Sequence, residues 1–254
     1  MNDKIEIEML DELIRQSKNT VFFGGAGVST ESGIPDFRSS EGLYTIQKVY
    51  GYPPEQLLSR RIFKQKPELF FRYHKENLIA KDAKPNAAHI ALAKLESQGL
   101  LEMVITQNVD NLHQAAGSQN VLELHGSNWR HYCVDCGEKY TLEYTLDPIN
   151  CRDEVVPVCE KCGNIVRPDV ILYDEKLNKR ICYKAIQAIE SAVLLIVGGT
   201  SLAVYPAAGL LKYFYGNNLV LINKTETPHD NETQLIIRQP IGEVFDELMK
   251  SIFE

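Results

Sequence analysis

The sequence has no apolar run approaching the roughly 18 residues of a membrane span. Its longest, Ala192 to Val197, is six residues and stops at Gly198-Gly199, the pattern of a buried strand. A basic excess is missing too. Lys and Arg number 27 against 34 Asp and Glu, for a net charge of −7. That balance gives no broad electrostatic reason to hold nucleic acid and leaves basic peptides as the better-matched partners. Gly and Pro are modest at 16 and 11 of 254 residues, and 44% of the chain is hydrophobic. Disorder and collagen-like repetition are thereby excluded, and the length suits one or two domains with a real core. The opening MNDKIEIEML lacks the positive flank and apolar stretch of a secretory signal. A cytoplasmic location is therefore expected. In that reducing compartment the six cysteines read as metal ligands or free thiols.

What is present alternates. Apolar positions 7, 10, 13 and 14 predict an amphipathic helix over residues 7–18. Val21-Phe22-Phe23 reads as a strand that runs into Gly24-Gly25-Ala26-Gly27 and then a helix, the opening of a nucleotide-binding α/β unit. Further strands are expected at 103–106, 121–124, 192–197 and 219–222, with helices at 88–98 and 181–191 between them. The expected fold is α/β, a Rossmann-like doubly wound parallel sheet. Two stretches interrupt it. Residues 38–85 carry four prolines and short helical patterns, and residues 127–172 hold five of the six cysteines. The expected domain division is therefore 1–37, 86–126 and 173–254 for the nucleotide-binding domain. The helical insertion (38–85) and the zinc-ribbon insertion (127–172) form a smaller lobe.

The sharpest spacing is Cys133-x-x-Cys136 followed by Cys159-x-x-Cys162. Each knuckle can point two thiolates at one metal, and four close a tetrahedral shell. With no open position, a zinc ion there would be structural. Cys151 and Cys182 fall outside the pattern. The glycine loop alone is weaker, because the sixth place of the dinucleotide fingerprint, counted from Gly25, is Thr30 and not Gly. Other polar clusters are Gly33-Ile34-Pro35-Asp36-Phe37-Arg38, Thr106-Gln107-Asn108-Val109-Asp110, His125-Gly126, Gly199-Thr200-Ser201 and Asn223. Most of them directly follow a strand, where open α/β sheets bind ligands.

Taken in order, these motifs resemble the sirtuins, the NAD-dependent protein lysine deacylases, in their short bacterial form. The resemblance runs from residue 24 to about 241. It implies a protein deacetylase that consumes NAD, releasing nicotinamide, free lysine and O-acetyl-ADP-ribose. Ala26, Thr30, Phe37 and Arg38 would then hold the pyrophosphate and nicotinamide ribose. Gln107, Val109 and Asp110 would line the nicotinamide side, with Asn108 ordering the site near the ribose. Thr200, Ser201, Asn223 and Ile241 would take the adenosine half. His125 would be the general base, since an imidazole with its ordinary pKa of about 6.5 suits neutral pH. Cys133, Cys136, Cys159 and Cys162 would hold zinc. Acetylated protein or peptide substrates would bind near Val170 to Tyr173. A monomer with no membrane or direct nucleic-acid partner is expected.

One segment departs from the family. Tyr173-Asp174-Glu175 stands where sirtuins usually read Phe-Gly-Glu, which puts a carboxylate at the peptide rim. Acyl choice is also legible. Sirtuins that remove succinyl or malonyl groups carry Tyr and, three residues on, Arg. Here one register gives Phe71 and His74, the other Tyr73 and Glu76, and neither supplies the pair. Phe71 is expected to line an apolar acyl channel. A hydride-transferring dehydrogenase is disfavoured by Thr30. A nucleic-acid-binding zinc ribbon is disfavoured by four basic against seven acidic residues over 127–166. Protein ADP-ribosyl transfer at the same NAD site is the remaining alternative.

Overall fold

The structure, a computed structural model, describes residues 3–35 and 47–253. Asp36, Phe37 and Arg38 lie outside the described residues. Eleven strands occur among them. β1 is Thr20–Gly24, β2 Met103–Thr106, β3 Val121–Glu123, β4 Gly126–Cys133, β5 Lys139–Thr141 and β6 Cys151–Arg152. β7 is Val156–Pro157, β8 Val166–Val170, β9 Leu194–Gly198, β10 Asn218–Ile222 and β11 Leu235–Ile237. Six of them form one sheet in the order β11-β10-β9-β1-β2-β3, every pair parallel. The inner strands β1 and β9 are buried at every position. A sheet covered on both faces requires this, and it explains why β1 and β9 read as continuous apolar runs and not as alternation.

Each face has its own core. Phe22, Val104, Ile196, Val220 and Ile222 pack with Leu10 and Ile14 of the helix Asp3–Gln16, Leu92 of Ala87–Ser97, and Val244, Phe245 and Leu248 of Ile241–Phe253. Val21, Phe23, Ile105, Leu195, Val197 and Leu221 face the opposite way, onto Ala185 and Ile189 of the helix Lys179–Ser191. Strand β11 and the helix Ile241–Phe253 had no strong signal in the sequence. β11 is three residues long, and its identity comes from pairing with β10. The helix expected directly after β1 is corrected. The chain instead makes two 3₁₀ turns, Ala26–Val28 and Thr30–Ser32. Glycine-rich sequence propagates an α-helix poorly, and close backbone contacts hold the turns instead.

A smaller assembly sits beside the carboxyl end of the sheet. Strands β5, β4 and β8 form a three-stranded antiparallel sheet, and β6 pairs with β7. Ile62 and Phe63 of the helix Arg60–Gln65, with Phe70 and Phe71 of Pro67–Asn77, share one buried cluster with Val156 and Leu172. No helix of the described residues is long and apolar enough to cross a membrane.

Four buried histidines, His74, His89, His113 and His131, make the fold acid-sensitive. Burial pushes His74 and His89 down to about 4 and His113 and His131 to about 3. The rings of His89 and His113 lie 4.7 Å apart, so two charges there would also repel. The unfolded chain, with imidazoles near about 6.5, binds more protons than the folded chain as pH falls below that value. Stability is therefore expected to be full above about pH 6.5 and to fall towards pH 4. In ring-proton NMR, these four histidines should not titrate between pH 8 and pH 5.5. Titration of any one at its ordinary value would contradict the assignment.

Candidate active site

In this sheet the chain winds outward from β1 through β2 and β3, then crosses back to place β9 on the other side of β1. The switch in winding direction opens a crevice at the carboxyl ends of β1 and β9, the position where such sheets bind ligands. Two glycine loops meet there. Gly27 N–H donates to Gly199 O at 2.8 Å, and Gly25 N–H to Gly198 O at 3.2 Å. A Cβ on Gly27 would sit 2.8 Å from Gly199 Cα, and one on Gly199 would sit 2.4 Å from Val28 N. Gly199 also has φ +59. Only glycine permits this backbone-to-backbone approach.

Two cavities flank the joined loops and share Gly199 and Ser201. The first, about 190 Å³, is lined by Ala26, Gln107, Asn108, His125, Thr200 and Ser201. It is closed from the small assembly by Pro54, Glu55, Leu58, Tyr73 and Tyr173. The second, about 320 Å³, is lined by Thr30, Glu31, Ser201, Ile222, Asn223 and Ile241, with Lys224, Thr225 and Gln239. Thus Ala26, Gln107, Asn108, His125, Thr200 and Ser201 come together on one side, and Thr30, Ser201, Asn223 and Ile241 on the other. Val109 and Asp110 line neither. Val109 O accepts from Asn128 N–H at 2.9 Å. The Asp110 carboxylate accepts from the Ser29 hydroxyl at 2.6 Å and from Leu112 N–H at 2.9 Å.

Ser29 is buried, and its hydroxyl organises the crevice floor. While donating to Asp110 it also accepts from Asn108 Nδ2 at 3.0 Å. Asn108 N–H is further held by Thr106 Oγ1 at 3.0 Å. One hydroxyl thereby fixes two of the polar side chains singled out in the sequence. Gln107 is held through its side-chain amide, which donates to Thr200 Oγ1 at 3.1 Å.

His125 lies just beyond β3, and its Nδ1 is 2.9 Å from Gln107 O. A carbonyl only accepts, so Nδ1 carries the proton and Nε2 is the nitrogen able to take another. This arrangement orients a proton acceptor at the cavity edge. Pro54, Glu55 and Leu58 had no signal as site residues, and Tyr73 entered only in the second of two helix registers. They are about 50 to 70 residues from His125 in the sequence, and only the packing of the small assembly brings them there.

The expected acyl-channel role of Phe71 is corrected. Phe71 is buried against Phe63 and Phe70 inside the small assembly. His74 is also buried, stacked on Phe70 and bonded to Asn128 Oδ1 at 3.0 Å. Tyr73, on another face of the same helix, is the aromatic of that helix that lines the cavity. Beyond β8, Tyr173 N–H donates to Leu58 O and Arg60 N–H to Tyr173 O. Asp174 has φ +72, a left-handed conformation that favours Gly and that Asp tolerates better than most residues. Glu175 anchors the segment with a two-pronged ion pair to Arg167 at 2.8 and 3.0 Å.

The four knuckle sulfurs all lie within 4.8 Å of one another, with Cys133 to Cys162 at 3.4 Å and Cys136 to Cys159 at 3.6 Å. Tetrahedral zinc with thiolate bonds of about 2.3 Å needs sulfurs roughly 3.8 Å apart. The residues fit a closed four-thiolate zinc site, and Tyr140 Oη supports it from outside by donating to Cys159 Sγ at 3.1 Å. Cys151 and Cys182 stand outside this cluster.

The Sir2 family model matches residues 25–206. An NAD-dependent protein deacetylase of Clostridium acetobutylicum is 53% identical over 244 residues, which cover 96% of this chain and 98% of that one. A protein of the same name from Clostridium tetani is 54% identical, covering 96% and 97%. Among solved structures, Sir2 with a p53 peptide and NAD+ has a TM-score of 0.86 at 40% identity, over 96% of this chain and 97% of that one. A Sir2 variant with a deacetylated p53 peptide and 3′-O-acetyl-ADP-ribose has a TM-score of 0.87 at 40% identity, over 96% and 98%. Likeness in both sequence and fold through nearly the whole of each chain makes this protein a member of the Sir2 family.

Proposed function

We infer that the protein is an NAD-dependent protein lysine deacetylase, transferring the acetyl group of acetyl-lysine to ADP-ribose with release of nicotinamide. The observation that carries this reading is the pair of cavities meeting at Gly199 and Ser201, with the oriented His125 at the edge of one of them. Relatives and structural neighbours that bear the deacetylase name, or hold NAD, peptide and acetyl-ADP-ribose, support it.

The residues divide by chemistry. Thr200, Ser201, Asn223 and Ile241 would hold the adenosine half of NAD, and Ala26 and Thr30, which line one cavity each, the pyrophosphate and nicotinamide ribose. Phe37 and Arg38 belong to the same proposal, as does Val109 on the nicotinamide side. Bound there, NAD supplies an electrophilic ribose carbon and a leaving nicotinamide. Gln107 and Asn108, fixed by Thr200 and Ser29, present amide groups to the nicotinamide side, with Asp110 behind Ser29. Tyr73, Leu58 and Pro54 exclude water from the same space. His125 Nε2 takes a proton from a ribose hydroxyl, directly or through its neighbour. The zinc-binding cysteines take no part in the chemistry; their closed shell braces the small assembly. The substrate peptide would lie along Val170 to Tyr173, with Glu55 and Asp174 favouring basic flanking residues.

Mass spectrometry of an acetyl-lysine peptide incubated with the protein and NAD tests this. Equal yields of deacetylated peptide, nicotinamide and O-acetyl-ADP-ribose are expected. A peptide that keeps its acetyl group and gains ADP-ribose would establish the transferase reading instead.

Acidic acyl groups should be poor substrates. In the register the cavity selects, the residue three beyond Tyr73 is Glu76, whose carboxylate accepts from Tyr50 Oη. Glu55 lines the cavity, and its described lining includes no lysine or arginine. Like charge without a cation makes binding unfavourable. The kcat/KM for a succinyl-lysine peptide is expected to be at least about tenfold below that for acetyl-lysine. Equal values would overturn the preference.

A further inference from the structure

The Tyr73 side chain is fully buried, 0% exposed, yet its hydroxyl has no hydrogen-bond partner among the described residues. Its ring is well held, edge-on to Tyr50 at 5.1 Å and packed with Leu57. Tyr50 nearby has its own hydroxyl fully used, donating to Glu76 and accepting from Asn77 Nδ2 at 2.8 Å. Phenylalanine stands at two other buried positions of the same helix, Phe70 and Phe71. At position 73 it would fill the same space without stranding an oxygen. An unsatisfied buried hydroxyl lowers stability unless something else meets it.

The cavity shared with His125 is where a partner can come from. Burial, followed by the nearby Tyr50, Glu55 and Tyr173, raises the Tyr73 pKa, so the phenol stays protonated and can donate. Its partner must therefore be an acceptor. A carboxylate is a poor one here, because Glu55 lines the same cavity and no described lining residue is a lysine or arginine. A neutral oxygen meets both conditions.

Resting on the deacylase reading above, we propose that Tyr73 is a specificity-determining residue whose hydroxyl donates to a neutral oxygen carried by the acyl chain. Acyl-lysines bearing a hydroxyl on the chain are then preferred over plain acyl-lysines of the same length. A site with an unmatched donor discriminates against the ligand that lacks the acceptor.

The test compares two otherwise identical peptides, one with 3-hydroxybutyryl-lysine and one with butyryl-lysine, at saturating NAD. The readout is the ratio of their kcat/KM values in the wild type and in Tyr73→Phe, so a general change in activity cancels. The wild-type ratio is expected to exceed one and to fall by about fivefold in Tyr73→Phe. Tyr73→Phe should melt no lower than wild type, because no internal hydrogen bond is lost. An unchanged ratio overturns the proposal, and so does a clear loss of stability, which would give the hydroxyl a structural partner. An acetyl-lysine peptide run alongside separates the two readings. If acetyl-lysine is turned over and the ratio is unchanged, this inference alone falls. If no acyl-lysine is turned over, the deacylase reading falls with it.

Discussion

His125→Ala should lower kcat/KM on an acetyl-lysine peptide by roughly 100- to 10,000-fold, the range a positioned general base contributes. The expectation rests on the tautomer. Gln107 O accepts from Nδ1 at 2.9 Å, so Nε2 is the basic nitrogen, and among the described residues no other imidazole lines either cavity. Alanine removes the proton acceptor and one hydrogen bond at the edge of β3. It leaves the glycine loops and the hydrogen bonds of Ser29 to Asp110 and Asn108 intact. NAD affinity by calorimetry, zinc content and melting temperature should therefore stay near wild type while turnover collapses. Activity within a factor of about ten of wild type would remove His125 from the role of base.

Cys159→Ser should fail in a different way, by losing the metal and with it the small assembly. Structural zinc in finger peptides binds with an apparent 10–16 kcal/mol or about that, comparable to the whole stability of an ordinary domain at about 5–15 kcal/mol. Immediately around the knuckles the core is thin. Its apolar cluster is Cys133, Cys159 and Val166, with Tyr140 and Tyr144 packed against it. Serine is a poor zinc ligand, and the remaining three thiolates would be left crowded within 4.8 Å of one another. Zinc measured by atomic absorption should fall from one per chain to near zero. Soluble yield should drop, and activity should be lost through the collapse of β4 and β8, which flank His125 and Tyr173. A zinc-free variant that stayed soluble and fully active would show that the metal has no structural role.

The two failures differ because the residues differ in how they depend on the rest of the chain. Each knuckle is local: two cysteines three apart and a glycine at positive φ, Gly137 or Gly163. Such a turn forms from its own residues, so its chemistry can be read from spacing. The strands at 103–106 and 218–222 were legible for a related reason. A doubly covered parallel strand must be apolar on both faces, whatever its neighbours. Tyr73 is the opposite case. Its helical pattern is equally compatible with Phe71, Tyr73 or His74 facing a ligand, and the sequence alone favoured the wrong aromatic.

The amino-acid order by itself thus determined the α/β class, the zinc knuckles, the glycine loops and membership of the Sir2 family, because each rests on short-range spacing or on a run of matched motifs. Tertiary structure alone decided which loops touch. Gly27 and Gly199 are more than 170 residues apart in the sequence, and they meet only because β9 returns to lie beside β1. The same crossing places His125 at the end of β3 in reach of a cavity partly walled by Tyr73 from an insertion. Which residue of a helix faces a cavity depends on the helix's rotation against its neighbours. That rotation is set by packing Phe63, Phe70 and Phe71 against Val156 and Leu172, contacts between segments far apart in the chain that no local pattern encodes.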